Sequence, residues 1–340
     1  MTHPLIDGLA ASPDILIHQF DIVGDRALII RLSTEQLRQA SFLDERVLVK
    51  GVEGGWAPWR DVESSARRAA AANVNFIFHI GHCGSTLVSR LLEDASGARA
   101  LREPLAIRQL ASVAADFDDG LSPWTDATLN DRFDLYLRSS SKGAKTILKA
   151  TSWCGGLARL SKGPALFCYS EPGAYVATML GGANNPTDLK LNAAIRLRRL
   201  RRLCGDPQFA NLAALSPGEL AAMSWATETA TIAEAQAATP ERFHAIEFDA
   251  FLARPEEGLG GAIAHLSLSA PSERIAAALS GPIMRTYSKD ASFDYTPQDR
   301  RELLNDYKRA HGEEIRRARA WLDAAGNAHP AVAAALSRFA

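Results

Sequence analysis

The sequence predicts an α/β, three-layer fold, a central parallel sheet flanked by helices, preceded by a small α+β accessory segment. Three observations lead there. From residue 73 onward short apolar runs alternate with helical patterns; one of these runs passes through a glycine loop directly into a helix; and residues 1–72 read instead as short strands with one helix. The expected division is therefore residues 1–72 as the accessory segment and 73–340 as the main domain.

Composition permits this and excludes other classes. Of 340 residues, 47% are hydrophobic, enough for a large buried core. The net charge of -1 gives no global attraction for nucleic acid or an anionic membrane, so any anion site must be local. The four cysteines, Cys83, Cys154, Cys168 and Cys204, have no Cys-x-x-Cys spacing and no His/Cys cluster beside them, so reduced thiols and no metal are expected. No stretch approaches the ~18 apolar residues of a membrane span, and the N-terminus lacks the pattern of a signal peptide. A soluble, cytoplasmic protein is the expectation.

In chain order, ILIHQFDIV and ALIIRL are strand-like around a Gly24-Asp25 turn, and Ser33 with Gln36 forms a capping box for a helix. GVEGGWAPWRD reads as an ordered loop, rich in Gly, Pro and Trp. NFIFHI is the first apolar strand of the main domain; KTILKA, PALFCYS and RFHAIEF follow, each of strand length and separated by helical segments, which implies right-handed crossovers. Ser216-Pro217-Gly218-Glu219 and Thr296-Pro297 open two long helices, the second carrying Arg300, Arg301, Leu303 and Leu304. The five arginines between positions 196 and 202 lie on a helix and read as a solvated face or, alternatively, as a lid over an anionic ligand.

NFIFHI runs straight into Gly81-His82-Cys83-Gly84-Ser85-Thr86 and then a helix with Leu87, Val88, Leu91, Leu92 and Ala95 on one face. Glycines let the backbone approach a ligand closely, and the first amides of the helix point outward at the positive end of its dipole. Such a loop is an anion cradle, to which Ser85 and Thr86 add hydroxyls; an ordinary tight turn is the other reading. A kinase or GTPase loop would place a lysine before the serine, and none stands there.

The loop resembles the 5'-phosphosulfate-binding loop of sulfotransferases, with His82-Cys83-Gly84-Ser85-Thr86-Leu87 in its last six positions. ARALREPLAIRQLA is similar to a strand end of protein-tyrosine sulfotransferases that carries the general base, which Glu103 matches. KTILKAT is similar to the Lys-Thr-His strand of cytosolic sulfotransferases, with Lys149 in the lysine position. FCYSEPGAYVATML and HAIEFDAFLARPEEGL resemble two later signatures of the same superfamily, and the order is kept from residue 74 to about 310. The resemblance implies a sulfotransferase-like P-loop fold. It also implies 3'-phosphoadenosine 5'-phosphosulfate (PAPS) as donor and a small-molecule or carbohydrate acceptor with a hydroxyl or amine. Glu103, Lys149 and His82 would be the catalytic residues, and Gly81 to Leu87 the phosphate cradle.

The departures are specific. Ser170 stands where the family keeps an arginine for the 3'-phosphate, Thr178 replaces its serine, His82 replaces the loop cation, and Thr151 replaces the histidine after the lysine strand. Arg285 or Lys289, with Ser288, lies where the family closes a late loop over the donor, and can supply the missing charge or remain solvated. Glu103 is a base by resemblance, but a carboxylate before Pro104 can equally cap the following helix. Trp153 can stack on adenine or pack. An ATP-dependent phosphotransferase and a non-catalytic nucleotide-binding protein are the competing functions.

Overall fold

The computed structural model describes residues 4–183, 185–287 and 294–340. Strands β1 (Ile15–Asp21) and β2 (Arg26–Arg31) pair antiparallel around the Gly24-Asp25 turn, with Asp25 in the left-handed region at φ 46°. Helix α1 (Thr34–Gln39) has the Ser33–Gln36 capping box. The segment read as a loop contains a third strand, β3 (Gly54–Pro58), paired to β2 and followed by α2 (Trp59–Ala66). The misreading has a physical reason. A sheet-edge strand satisfies one neighbour only, so it tolerates the Gly and Pro that a central strand would not.

The main sheet is built from β4 (Val74–His79), β5 (Arg99–Arg102), β6 (Thr146–Lys149), β7 (Ala165–Tyr169) and β8 (Phe243–Glu247), all parallel, in the order β5-β6-β4-β7-β8. Helices α3 (Ser85–Ser96), α4 (Leu105–Asp118) and α5 (Asp126–Ser141) connect β4 through β5 to β6. Beyond β7 come α6 (Pro172–Gly181), α7 (Asn185–Cys204) and α8 (Pro217–Ala238), and beyond β8 α9 (Phe248–Ala253), α10 (Pro255–His265), α11 (Ser272–Ser280) and α12 (Pro297–Ala310). α13 (Gly312–Ala328) and α14 (Pro330–Phe339) end the chain. The step from β4 to β5 runs opposite in direction to the later steps, so right-handed crossovers put α3 on one face and the helices of the other crossovers on the opposite one. Packing agrees: α10 and α11 lie against α3, while α6, α7, α13 and α14 gather around α8. β4, covered on both faces, is apolar and buried along its length apart from its two polar members, Asn75 and His79, which are buried too.

The N-terminal segment shares the main hydrophobic cluster, contributing Leu5, Ile15, Phe20 and Trp59 beside Phe76 and Tyr136. Gln109 on α4 clasps Phe20 at both backbone atoms, at 2.7 and 2.8 Å. Beyond α1 the chain runs alongside the end of β5: Leu43 donates to the Arg102 carbonyl at 2.7 Å and accepts from the Leu105 amide at 3.0 Å. That short ladder brings residues 42–46 to the sheet's carboxyl edge.

The arginine run is not a solvated face. Arg196 and Arg199 of α7 are buried against α8, where Arg196 Nε donates to Glu228 at 3.0 Å and Arg199 faces the same carboxylate at 3.7 Å. Burial pushes the Glu228 carboxyl up from its ordinary value, and the two guanidinium groups oppose that push. Arg198 and Arg202 do reach the surface, paired with Asp119, Asp118 and Glu234. Periodicity cannot distinguish the two cases because the carboxylate that buries the inner pair is supplied from 32 residues away.

Candidate active site

Because the five strands are parallel, their carboxyl ends share one edge, and successive connections from β4 and β6 leave toward opposite faces. A crevice opens where the direction reverses, the general location of ligand sites in such sheets. Here it is a cleft of about 910 Å³ lined by the whole run Gly81 to Leu87 and by Glu103, Lys149 and Thr178.

The loop between β4 and α3 holds three consecutive special conformations, Gly81 at φ 86°, His82 at 52° and Gly84 at 68°. Gly84 is the N-cap of α3, the first-turn amides of the helix have no intrahelical acceptor, and among the described residues no side chain caps them. A Cβ on Gly84 would stand 1.8 Å from the Phe248 ring, so glycine is required there both by φ and by packing. Cys83 turns inward, its Sγ 3.1 Å from the Cys168 carbonyl, while His82, Ser85 and Thr86 border the cleft.

Glu103 follows the last residue of β5 with φ 50°, and its amide donates to the Lys149 carbonyl at 2.7 Å, which ties two strand ends together. Its carboxylate meets the Lys149 ammonium in a direct ion pair. The alternative of a helix cap does not hold: the N-cap of α4 is Pro104, without any side-chain cap bond. Arg102 points the other way, to Glu93 and to the carbonyls of Leu37 and Ala40, as alternation along a strand requires. A third group completes the cluster. His79, the last residue of β4, accepts the Gly81 N–H at Nδ1 (3.0 Å), and its Nε2 lies 3.8 Å from Glu103.

The second pole of the cleft differs from expectation. Ser170 is buried away from it, its carbonyl accepting from Trp225 Nε1 at 2.9 Å. Arg285 is exposed and is not among the residues lining the cleft, and its carbonyl accepts from the Tyr295 amide at 2.8 Å. Ser288 and Lys289 lie outside the described residues. The cation beside Thr178 is Arg300, from the first turn of α12, donating to the Thr178 hydroxyl at 3.1 Å and facing Asp249 at 3.3 Å. Arg300 is 6% exposed, and its Nη2 has no hydrogen-bond partner among the described residues. Trp153 packs against the core and does not line the cleft, whereas Thr151 lines it with its hydroxyl buried and without a partner among those residues.

The N-terminal segment supplies the remaining wall. Arg46 lies 3.7 Å over the Phe42 ring and forms a two-pronged pair with Asp44 at 2.8 and 2.6 Å. That pairing, with a contribution from Glu103 across the cleft, raises the Arg46 pKa. At the floor, Asp188 and Ser152 face the cleft and reach back to Arg196.

No protein-family model and no curated protein matches the chain. Solved structures similar to it include three sulfotransferases. The sulfotransferase domain from the curacin biosynthetic pathway has a TM-score of 0.41 and 14% identity, over 75% of this chain and 98% of that one. The sulfotransferase domain of the Synechococcus PCC 7002 olefin synthase has a TM-score of 0.41 and 14% identity, over 70% and 88%. Sulfotransferase STF9 from Mycobacterium avium has a TM-score of 0.40 and 10% identity, over 74% and 82%. Among the described residues no helix is long and apolar enough to cross a membrane, and no group of three His, Cys, Asp or Glu side chains could hold a metal ion.

Sequence reasoning missed His79, Arg300, Arg46 and Phe42. His79 carried a usable signal, since the last residue of a parallel strand entering a glycine loop always ends at the ligand edge. Arg300 carried a weaker one, its place in the first turn of a capped helix. Arg46 and Phe42 carried none, being brought in by the Leu43 ladder alone.

Proposed function

We propose that the chain is a sulfotransferase that moves a sulfuryl group from PAPS to a hydroxyl or amine acceptor. One observation carries the reading: an uncapped glycine-loop helix start and a buried lysine–carboxylate pair share a single cleft at the carboxyl edge of a parallel sheet. The residues present suit this donor. The amides opening α3 with Ser85 and Thr86 offer donors for a 5'-phosphate, and Arg300 with Thr178 offers a second, separate set for another anionic group, Nη2 being unspent. When bound, the donor supplies an activated sulfuryl group on a phosphate leaving group.

Lys149 would neutralise charge growing on the bridging oxygen as the sulfur–oxygen bond breaks, with His82 at the loop. Glu103 would take the proton from the acceptor oxygen or nitrogen as that atom bonds to sulfur. Lys149 is 1% exposed, and charges aimed at a reacting group from such dry positions are worth far more than in water. Phe42 and Arg46 would border the acceptor, which gives the N-terminal segment a share in its selection.

Calorimetric titration tests the reading. 3'-Phosphoadenosine 5'-phosphate should bind at least about tenfold more tightly than AMP, the worth of one charge-assisted hydrogen bond set. Equal affinities would remove the donor assignment, and tighter binding of magnesium ATP would favour a phosphotransferase instead.

A further inference from the structure

The base and the leaving-group cation are engaged with each other. Lys149 holds Glu103 in an ion pair, so the carboxylate oxygen that an acceptor would have to reach is occupied by the ammonium. The single charge of Lys149 cannot serve both Glu103 and an anion on the loop. If Lys149 turned to the loop, Glu103 would remain in the cleft at 14% side-chain exposure without its cation, at considerable cost, unless another donor received it.

Such a donor is in place. His79 Nδ1 accepts from the Gly81 amide, so the proton of the neutral ring sits on Nε2, the atom turned to Glu103. At 3.8 Å the two are beyond hydrogen-bond length while Lys149 holds the carboxylate, and a small rotation of the Glu103 side chain would close the gap. The Gly81 amide that sets the tautomer belongs to the glycine loop, so the same loop that cradles an anion also orients this donor. Among the described residues the charged groups near His79 include Glu103, past the end of β5, and its partner Lys149 at the end of the neighbouring β6, with Arg46 contributing to the field at Glu103.

We propose that the Glu103–Lys149 pair is a latch on the base, opened when a phosphate on the glycine loop draws Lys149 away, and that His79 is the positioning residue that then receives Glu103. This rests on the sulfuryl-donor reading of the cleft and adds an order to it: the base is released only after the donor has bound.

The test is a cycle of affinities for 3'-phosphoadenosine 5'-phosphate, measured by calorimetry on the full chain as wild type, His79→Phe, Glu103→Gln and the double variant. His79→Phe should weaken binding about tenfold, since opening the latch would then strand a buried carboxylate, and His79→Gln, which keeps an N–H, should restore it. In the Glu103→Gln background the His79→Phe penalty should vanish. An equal penalty in both backgrounds, or none in either, overturns the latch and leaves the donor assignment standing; no binding by the wild type overturns both. Should His79→Phe not fold, the His79 ring nitrogens of labelled wild type and Glu103→Gln are titrated by NMR with the nucleotide at saturation. The nucleotide should raise the proton-binding constant of His79 about tenfold more in wild type than in Glu103→Gln, and an equal rise would overturn the latch.

Discussion

Two clusters of buried charge lie a few residues apart in this molecule and behave in opposite ways. In the knot between α7 and α8, Arg196 spends its guanidinium inside the protein, on Glu228 at 3.0 Å, Ser152 at 3.3 Å and Asp188 at 3.4 Å. In the cleft, Arg300 keeps an unspent Nη2, Thr151 an unspent hydroxyl and α3 an uncapped first turn, as judged among the described residues. Burying a polar group without a partner costs free energy; in the first cluster the unmatched atoms, Arg199 Nη1 and Glu228 Oε2, face each other at 3.7 Å away from the cleft, whereas in the second the unmatched donors line the cleft, organised for something that arrives from solvent. Residue type does not separate them. Access to the cleft does.

Variants in the two clusters should therefore fail in different assays. Glu103→Gln should lower sulfuryl transfer by about 10² to 10⁴ and also lower the melting temperature, because it leaves the Lys149 ammonium buried without its carboxylate; a lowered melting point with near-wild-type transfer would make Glu103 part of a second structural joint and abolish the contrast. Arg196→Met should act on stability, costing about 3 to 5 kcal/mol in denaturant titrations because it leaves Glu228 buried without its principal cation. Unchanged stability there would mean the knot is dispensable.

Arg300→Met sharpens the comparison further. It should weaken 3'-phosphoadenosine 5'-phosphate by about ten- to hundredfold, leave AMP nearly unaffected and leave the melting temperature close to that of the wild type. Equal weakening of both nucleotides would place Arg300 at the common phosphate and undo its assignment as the second anion site.

The smallest expected effect concerns a third kind of buried charge, one with no carboxylate within ion-pair distance among the described residues. Lys142 donates to the carbonyls of Ile15 and Ser139, and burial lowers its pKa to about 7. The folded value lies below the unfolded one near 10.5, so the unfolded chain binds more protons between them and stability rises with pH across about 7 to 10. Thermal melts at pH 7 and 9.5 should show that rise, by no more than about 1 kcal/mol per pH unit, and Lys142→Met should flatten it. A wild-type curve already flat over that window would show that Lys142 retains its charge.

How much of this was legible before folding depends on the range of the interaction. The strands NFIFHI, KTILKA, PALFCYS and RFHAIEF, the glycine loop and the capped helix starts at Ser33 and Ser216 are written in local periodicity and local hydrogen bonding, and each is found in place. Glu103 and Lys149 were legible as residues at strand ends, and their meeting follows from parallel order once β5 lies beside β6. By contrast, Arg300 reaches Thr178 across 122 positions, Arg196 finds Glu228 across 32, and Arg46 enters the cleft because Leu43 pairs with the end of β5. The sequence by itself determined the elements and the edge at which a ligand would sit, since these depend on backbone geometry and on neighbours a few residues away. Only the tertiary structure decided which arginines are spent on internal carboxylates and which lines the cleft with a donor unmatched among the described residues, because a buried charge takes its character from partners that chain order does not bring near.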